Sequence, residues 1–383
     1  MKQYTHQDID KPALTRKVND REIGVKSVSE GIVLPLQMIP DGPRYGSGGI
    51  LDNQGKFVNE SGIQEEGYLK YGAPYPFDAD HLDRKDETVI WFGLFFGHWG
   101  HFLMELVTRM WYLVEHYKGE KIVYISQYDH RAYMEGTFLE FMNFLGVKNE
   151  DIIRIDRPTQ YKEVIIPAYA GTEFYFSNKY KSIFDAVVRN SGYSSVQMKL
   201  KDTIYLSRQN FKDSKWKDFG EKKIERSFIE NGFQSVSPER LSLKEQIYFW
   251  NTAKTIVCIN GTLPMNLVFC KNPIDLVVLN KTSRRHENLF NLQAAFNNFP
   301  IVYVDIYYVK YAYLVKNMGS GPFLMYSSPF LLEYFKDNGL TVKRNNIRLY
   351  PICAKFNILR FRYFNYHKYL GKVRNLKKQL FHK

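Results

Sequence analysis

Alternation constrains this chain most. From Thr203 to Val309, short runs of β-forming residues alternate with amphipathic stretches of helical period. "TIYLSRQ" reads as a strand, "FGEKKIERSFIENG" as a helix stopped by Gly232, and "FQSVSPE" as a second strand. "LSLKEQIYFWNTA" opens with a capping box, Ser242 followed three residues later by Glu245. "KTIVCIN", "IDLVVLN" and "FPIVYVDIYYV" supply three more strands, and "GTLPMNLVF" turns into a helix between the first two. Strands separated by crossover helices pair in parallel, so a parallel sheet covered by helices is expected here. An earlier series repeats the pattern: strand "ETVIWFGLFF", helix "HFLMELVTRMWYLVEHY", strand "KIVYIS", helix "MEGTFLEFMNFLGV" closed by Gly146, then strands "DIIRID" and "EVIIPA".

The first 85 residues or so are rich in Gly, Pro, Asp and Asn and read as short strands and loops. The two series join near "SNKYKSIFDAVVRNSGYSSVQMKLK". A chain of 383 residues suits two domains. The expected units are 1–195, 196–335 and a tail, 336–383. The fold class is α/β, with two Rossmann-like halves facing a cleft. In such sheets, nucleotide ligands sit beyond the C-terminal ends of the strands.

Charge separates the tail from the rest. The net charge is +13, and 12 uncompensated Lys and Arg lie between Asn338 and Lys383, where no Asp or Glu occurs. Leu359, Tyr363, Tyr366, Leu370, Val373, Leu376 and Leu380 recur there at three- and four-residue steps. That is a basic amphipathic helix of the kind that lies on anionic membrane surfaces. Packing against the body and a nucleic-acid-binding arm are the alternatives. The regular apolar stripe argues against a phosphate-only contact, so no nucleic-acid partner is expected. The N-terminus lacks an apolar signal region, and no run of about 18 apolar residues occurs. Three cysteines, Cys258, Cys270 and Cys353, lack metal-site spacing and suit a reducing compartment. A cytoplasmic chain on the inner face of the membrane is the expectation.

Several polar residues stand where chemistry is possible. In "GHWGHFLMELVTRMW", His98, His101, Glu105 and Arg109 fall on one face at helical spacing. Gly97 and Gly100 place the helix start near His101, with His98 in the preceding loop. A metal site would need further ligands, and the glycines break any zincin-like spacing, so no metal is expected. General acid–base work and a satisfied polar face between domains both remain open. In "TIVCINGTLPMNLVF", Gly261 allows close approach to backbone, Thr262 is placed to cap and Pro264 fits a first turn. Such a helix start binds phosphate, or is only a strand-to-helix turn. Arg208 ends a strand and suits a diphosphate or a surface ion pair, with Lys212 and Lys215 making its loop basic. Glu239, ahead of a capped helix, suits a sugar hydroxyl or the helix dipole.

"GHFLMELVTRMW", "YLSRQ", "GFQSVSPERLSLKEQIYFWNTAKTIV" and "INGTLPMNLVF" together resemble glycosyltransferase family 61, in that family's order and spacing, over about Val89 to Val304. The resemblance, and its bacterial capsular polysaccharide branch in particular, implies an inverting enzyme of GT-B type with the donor held by the C-terminal half. It implies Arg208 for the donor diphosphate, the turn from Asn260, Gly261 and Thr262 to Asn266 for phosphate and sugar, and Glu239 as a further donor contact. Glu105 matches the family's acidic position and takes the role of base, with His101 the alternative; His98 and Arg109 fall on the acceptor side. No cofactor is implied beyond a nucleotide-sugar donor, taken as a UDP-sugar, and the acceptor is a lipid-linked glycan. Asn260 departs from the His that the family often carries there. Rival readings are a non-catalytic nucleotide-sugar-binding scaffold, or a pyruvyl- or phosphate-transferring enzyme on a similar fold.

Overall fold

A computed structural model describes residues 1–6, 17–19, 22–63, 70–127, 131–172, 175–211, 218–284, 287–296, 300–312, 319, 321–341 and 349–381. The first half carries β1 (Lys17–Asn19), β2 (Val25–Gln37), β3 (Ser47–Leu51), β4 (Asp83–Leu94), β5 (Lys121–Ile125), β6 (Ile152–Arg154), β7 (Thr159–Pro167) and β8 (Tyr175–Ser177). The second carries β9 (Thr203–Leu206), β10 (Asp218–Phe219), β11 (Gln234–Val236), β12 (Thr255–Ile259), β13 (Asp275–Asn280), β14 (Ile301–Asp305) and β15 (Phe323–Leu324). The α-helices are α1 (Trp99–Met104), α2 (Trp111–His116), α3 (Thr137–Phe144), α4 (Asn178–Asn190), α5 (Glu221–Glu230), α6 (Leu243–Thr252), α7 (Glu287–Ala295), α8 (Val309–Ala312), α9 (Pro329–Asp337) and α10 (Leu349–Phe381).

The second half matches the expected alternation strand by strand. Its main sheet has five strands in the order β11-β9-β12-β13-β14, all parallel, and β10 and β15 pair apart from it. Ile256 and Cys258 of β12 face one apolar layer, while Val257 and Ile259 face the other. α6 and α7 cover the first face, α5 and α9 the second. Burial on both faces is why these strands read as continuous apolar runs. The Ser242–Glu245 capping box forms as expected.

The first sheet is mixed rather than parallel, in the order β3-β2-β7-β4-β5-β6. β4, β5, β6 and β7 pair in parallel, but the 13-residue β2 runs antiparallel to both β3 and β7. Glycines and a proline inside the N-terminal region disguised that long strand. The join between the halves carries α4. α4 buries Tyr180, Ile183, Phe184 and Val187 in a core that also takes one face of each large sheet. Tyr180 Oη donates to the Leu103 carbonyl at 2.7 Å, and the Phe184 ring lies 5.8 Å from that of Phe269.

Two boundaries differ from expectation. Tyr4 bridges in parallel to Val304, so residues 1–6 lie along the second sheet. α9 runs across residue 336, where the tail was expected to start. The basic tail is helical: in α10, Phe356 is buried against Phe219 and Tyr311, whereas Ile358, Phe361, Phe364 and Tyr369 are exposed. The side chains of Tyr363, Tyr366, Val373, Leu376 and Leu380 lie outside the described residues. Among the described residues, no helix is long and apolar enough to cross a membrane.

Candidate active site

The helix expected over 101–117 breaks at Glu105. α1 ends there, with Glu105 at φ −129° and ψ −45°, and a 3-10 turn, Leu106–Arg109, leads into α2. The break sorts the four polar residues. His98 caps α1, its Nδ1 accepting the His101 amide at 3.5 Å. His101 Nδ1 lies 3.3 Å from Glu105 Oε2, and the two side chains are 25% and 15% exposed. These three stay together. Arg109 does not: it is fully buried, with Nη2 donating to the Glu60 carbonyl at 2.6 Å and Nη1 to that of Pro167. Its guanidinium lies 3.7 Å over the Tyr169 ring. The acceptor-side reading of Arg109 is therefore corrected: a 3-10 turn has three residues per turn, which swings residue 109 off the α1 face and into the core.

α1 docks directly on the second half. Trp99 Nε1 donates to Asn266 Oδ1 at 2.8 Å. A Cβ on Gly100 would sit 3.2 Å from Thr262 Oγ1, so the α1 backbone meets the Thr262 side chain at close range. Asn266 is thereby committed, since its Nδ2 also donates to the Leu263 carbonyl at 2.9 Å. It joins the halves. The segment Leu263–Phe269 is a seven-residue 3-10 helix, not an α-helix, and the Thr262 side chain makes no capping bond. Pro264 takes the first turn as expected. So short a helix carries little macrodipole, which shifts the burden of holding an anion onto side chains.

The second sheet indicates where that anion would lie. The chain steps from β9 outward to β11, then returns past β9 to β12 and continues to β13 and β14. The order reverses between β9 and β12, and open α/β sheets bind ligands beyond the strand C-termini at such a reversal. Arg208 follows β9 and Gly261 follows β12. A Cβ on Gly261 would lie 3.6 Å from Arg208 Nη1, so the guanidinium reaches over this turn. Arg208 Nε is 3.1 Å from Asp218 Oδ2, and Lys281 Nζ is 3.2 Å from Asp218 Oδ1. The Arg208 amide donates to Glu221 Oε1 at 2.8 Å. Glu239 is exposed on the 3-10 turn Pro238–Arg240. That turn is tied to the Arg208 loop, because Asn210 bonds both Ser237 and Arg240. Lys212 and Lys215 lie outside the described residues.

Asn260 is fully buried, and its Nδ2 donates to Asn280 Oδ1 at 2.7 Å. Asn280 Nδ2 in turn donates to Asp305 Oδ1, and Asp305 Oδ2 lies 2.9 Å from His6 Nδ1. This chain of polar groups ties together the C-terminal ends of β12, β13 and β14. Asn260 Oδ1 has no hydrogen-bond partner among the described residues. Sequence reasoning missed Asp218, Glu221, Asn280, Lys281 and Asp305. The available signal was position: Asn280, Lys281 and Asp305 end or follow parallel strands, as Arg208 and Asn260 do. Among the described residues, no group of three or more His, Cys, Asp or Glu could hold a metal ion.

Burial pushes the Glu221 carboxyl up to about 7, against the opposing bond from the Arg208 amide. Between the ordinary carboxylate value and 7, the folded state then holds more protons than the unfolded one. Stability is lost as pH rises through that window. Glu221→Gln should remove on the order of 2 kcal/mol of the stability difference between pH 5 and pH 8. Urea unfolding of both proteins at the two pH values checks this; an unchanged difference would place the titration elsewhere.

Residues 99–278 match the glycosyltransferase 61 family model. This stretch is similar to glycosyltransferase 61 domains. It starts at α1 and ends in β13, so it contains His101, Glu105, Arg208 and the Gly261 turn. The chain is a glycosyltransferase, and enzymes of this family move a sugar from a nucleotide-sugar donor to a glycan acceptor. No curated protein matches the chain. The matched stretch stops short of Lys281 and Asp305, which the fold adds to the edge of the site from outside it.

Proposed function

We propose that this glycosyltransferase works with inversion and without a metal, in a GT-B arrangement. Its donor is a UDP-sugar and its acceptor a hydroxyl of a lipid-linked glycan, in the synthesis of a bacterial surface polysaccharide. The observation that carries the reading is the meeting of two sets of residues. Arg208 and Gly261 stand at the strand-order reversal, and α1, with His101 and Glu105, docks against the next residues of the same turn.

Glu105 takes the proton from the acceptor hydroxyl, with His101 orienting the carboxylate. The acceptor oxygen forms a bond to the anomeric carbon as the bond to the diphosphate oxygen breaks. The diphosphate leaves with the electron pair, and the Arg208 guanidinium stabilises the charge. Inversion follows from a single displacement. α10 supports attachment to the cytoplasmic face of a membrane: Arg362, Lys368 and Lys372 sit among exposed Phe361, Phe364 and Tyr369 on one helix.

The test is thermal stabilisation by UDP, GDP, ADP and CMP, with and without EDTA. Saturation with a bound nucleotide at a hundredfold excess over Kd adds roughly 2.7 kcal/mol. A shift with UDP that survives EDTA is expected. A shift abolished by EDTA would remove metal independence, and no shift with any nucleotide would favour a scaffold.

A further inference from the structure

Arg208 is held by a buried arrangement that the transfer chemistry does not itself require. Asp218 is fully buried at its side chain and divides its oxygens, Oδ2 toward Arg208 Nε and Oδ1 toward Lys281 Nζ. Lys281 is 4% exposed at its side chain and lies 4.2 Å over the Phe323 ring, so it does not itself reach solvent. Arg208 follows β9, Asp218 opens β10 and Lys281 follows β13, so the last lies 63 residues from Asp218 in sequence.

We propose that Asp218, balanced by Lys281, is a positioning residue that aims the Arg208 guanidinium at the donor diphosphate. This rests on Arg208 being the diphosphate contact. A buried ion cluster is generally less stabilising than apolar packing of the same volume, so stability alone is a poor reason for one here. Geometry supplies a better reason. The Asp218 carboxylate lies 3.1 Å from Nε as an ion pair outside hydrogen-bond geometry, and it draws the guanidinium to one side while Nη1 reaches toward Gly261. The backbone that carries Asp218 is tightly set: Gly220 has φ +102°, and a Cβ there would lie 2.0 Å from the Met325 carbonyl oxygen. Lys281 explains how Arg208 keeps its use. Asp218 alone would neutralise it, whereas two cations on one carboxylate leave the cluster with a net positive charge facing an anion as long as Glu221 keeps its proton.

Field and orientation predict opposite results for one substitution. Asp218→Asn removes a negative charge beside an anion site, so charge alone would leave binding equal or tighter. Positioning requires it to weaken. Binding of UDP and of inorganic pyrophosphate by calorimetry is the measurement, on the full chain. The expected result is on the order of tenfold weaker binding of both probes for Asp218→Asn, and no further weakening when it is added to Arg208→Ala. Equal or tighter binding by Asp218→Asn overturns the proposal, as does an equal loss in the Arg208→Ala background. If Arg208→Ala alone leaves binding intact, the diphosphate role of Arg208 falls first and the proposal with it. Should Asp218→Asn not fold, Asp218→Glu replaces it: the charge is kept and moved by one methylene, and the same loss is expected. Wild-type binding by that variant overturns the proposal equally.

Discussion

Glu105→Gln should lower sugar transfer by about 10²–10⁴-fold while UDP still binds with wild-type affinity. The amide keeps the shape of the side chain and can still contact His101, but it cannot take a proton. The residue sits at a helix break and is mostly shielded, 15% exposed, with its amide bonded to the His101 carbonyl at 2.9 Å. Its carboxylate is therefore held in place rather than sweeping through solvent. His101→Asn should cost less, because it loosens the carboxylate without removing it. Steady-state transfer, together with calorimetry of UDP binding, checks both. Near-normal turnover by Glu105→Gln would move the base to His101. Loss of UDP binding in the same variant would make Glu105 part of the donor site instead.

Arg109→Met should destabilise the protein by about 3 kcal/mol, measured by urea unfolding. The guanidinium bonds the Glu60 and Pro167 carbonyls and covers Tyr169, whose hydroxyl pairs with that of Tyr71 at 2.7 Å. Methionine fills similar space but leaves two carbonyls without these donors in a buried setting. Arg109 thus ties the 3-10 turn after Glu105 to the end of β7 and to the 59–61 turn. A loss of activity with unchanged stability would restore it to the acceptor side. Unchanged values of both would mean that its hydrogen bonds are replaced at no cost.

Much of the frame was legible in the chain. Every strand of the second sheet was marked by a run of β-formers between capped or glycine-stopped helices. Arg208 and Gly261 were recognisable because polar residues that end such runs stand at the C-terminal edge of a parallel sheet. Two kinds of feature escaped. β2 was hidden because glycine and proline within and around it mimic loop composition, though its neighbours supply the missing pairing. Asp218, Glu221 and Lys281 were passed over because a charged residue near an element end ordinarily faces water. What marks them is burial, and burial depends on segments far away in sequence.

The order of β-formers, helix caps and glycine stops determined an α/β chain with a parallel second sheet, because these preferences act within a few residues of one another. The motif residues carry the likeness to the glycosyltransferase 61 family by the same local spacing. Tertiary structure alone decided the strand order β11-β9-β12-β13-β14, and so the reversal that sets Arg208 beside Gly261. It also decided that Glu105 stays with His101 while Arg109 turns inward, and that Asp218 lies between two cations. Each of these depends on packing between segments tens to hundreds of residues apart, where shape and desolvation outweigh local preference.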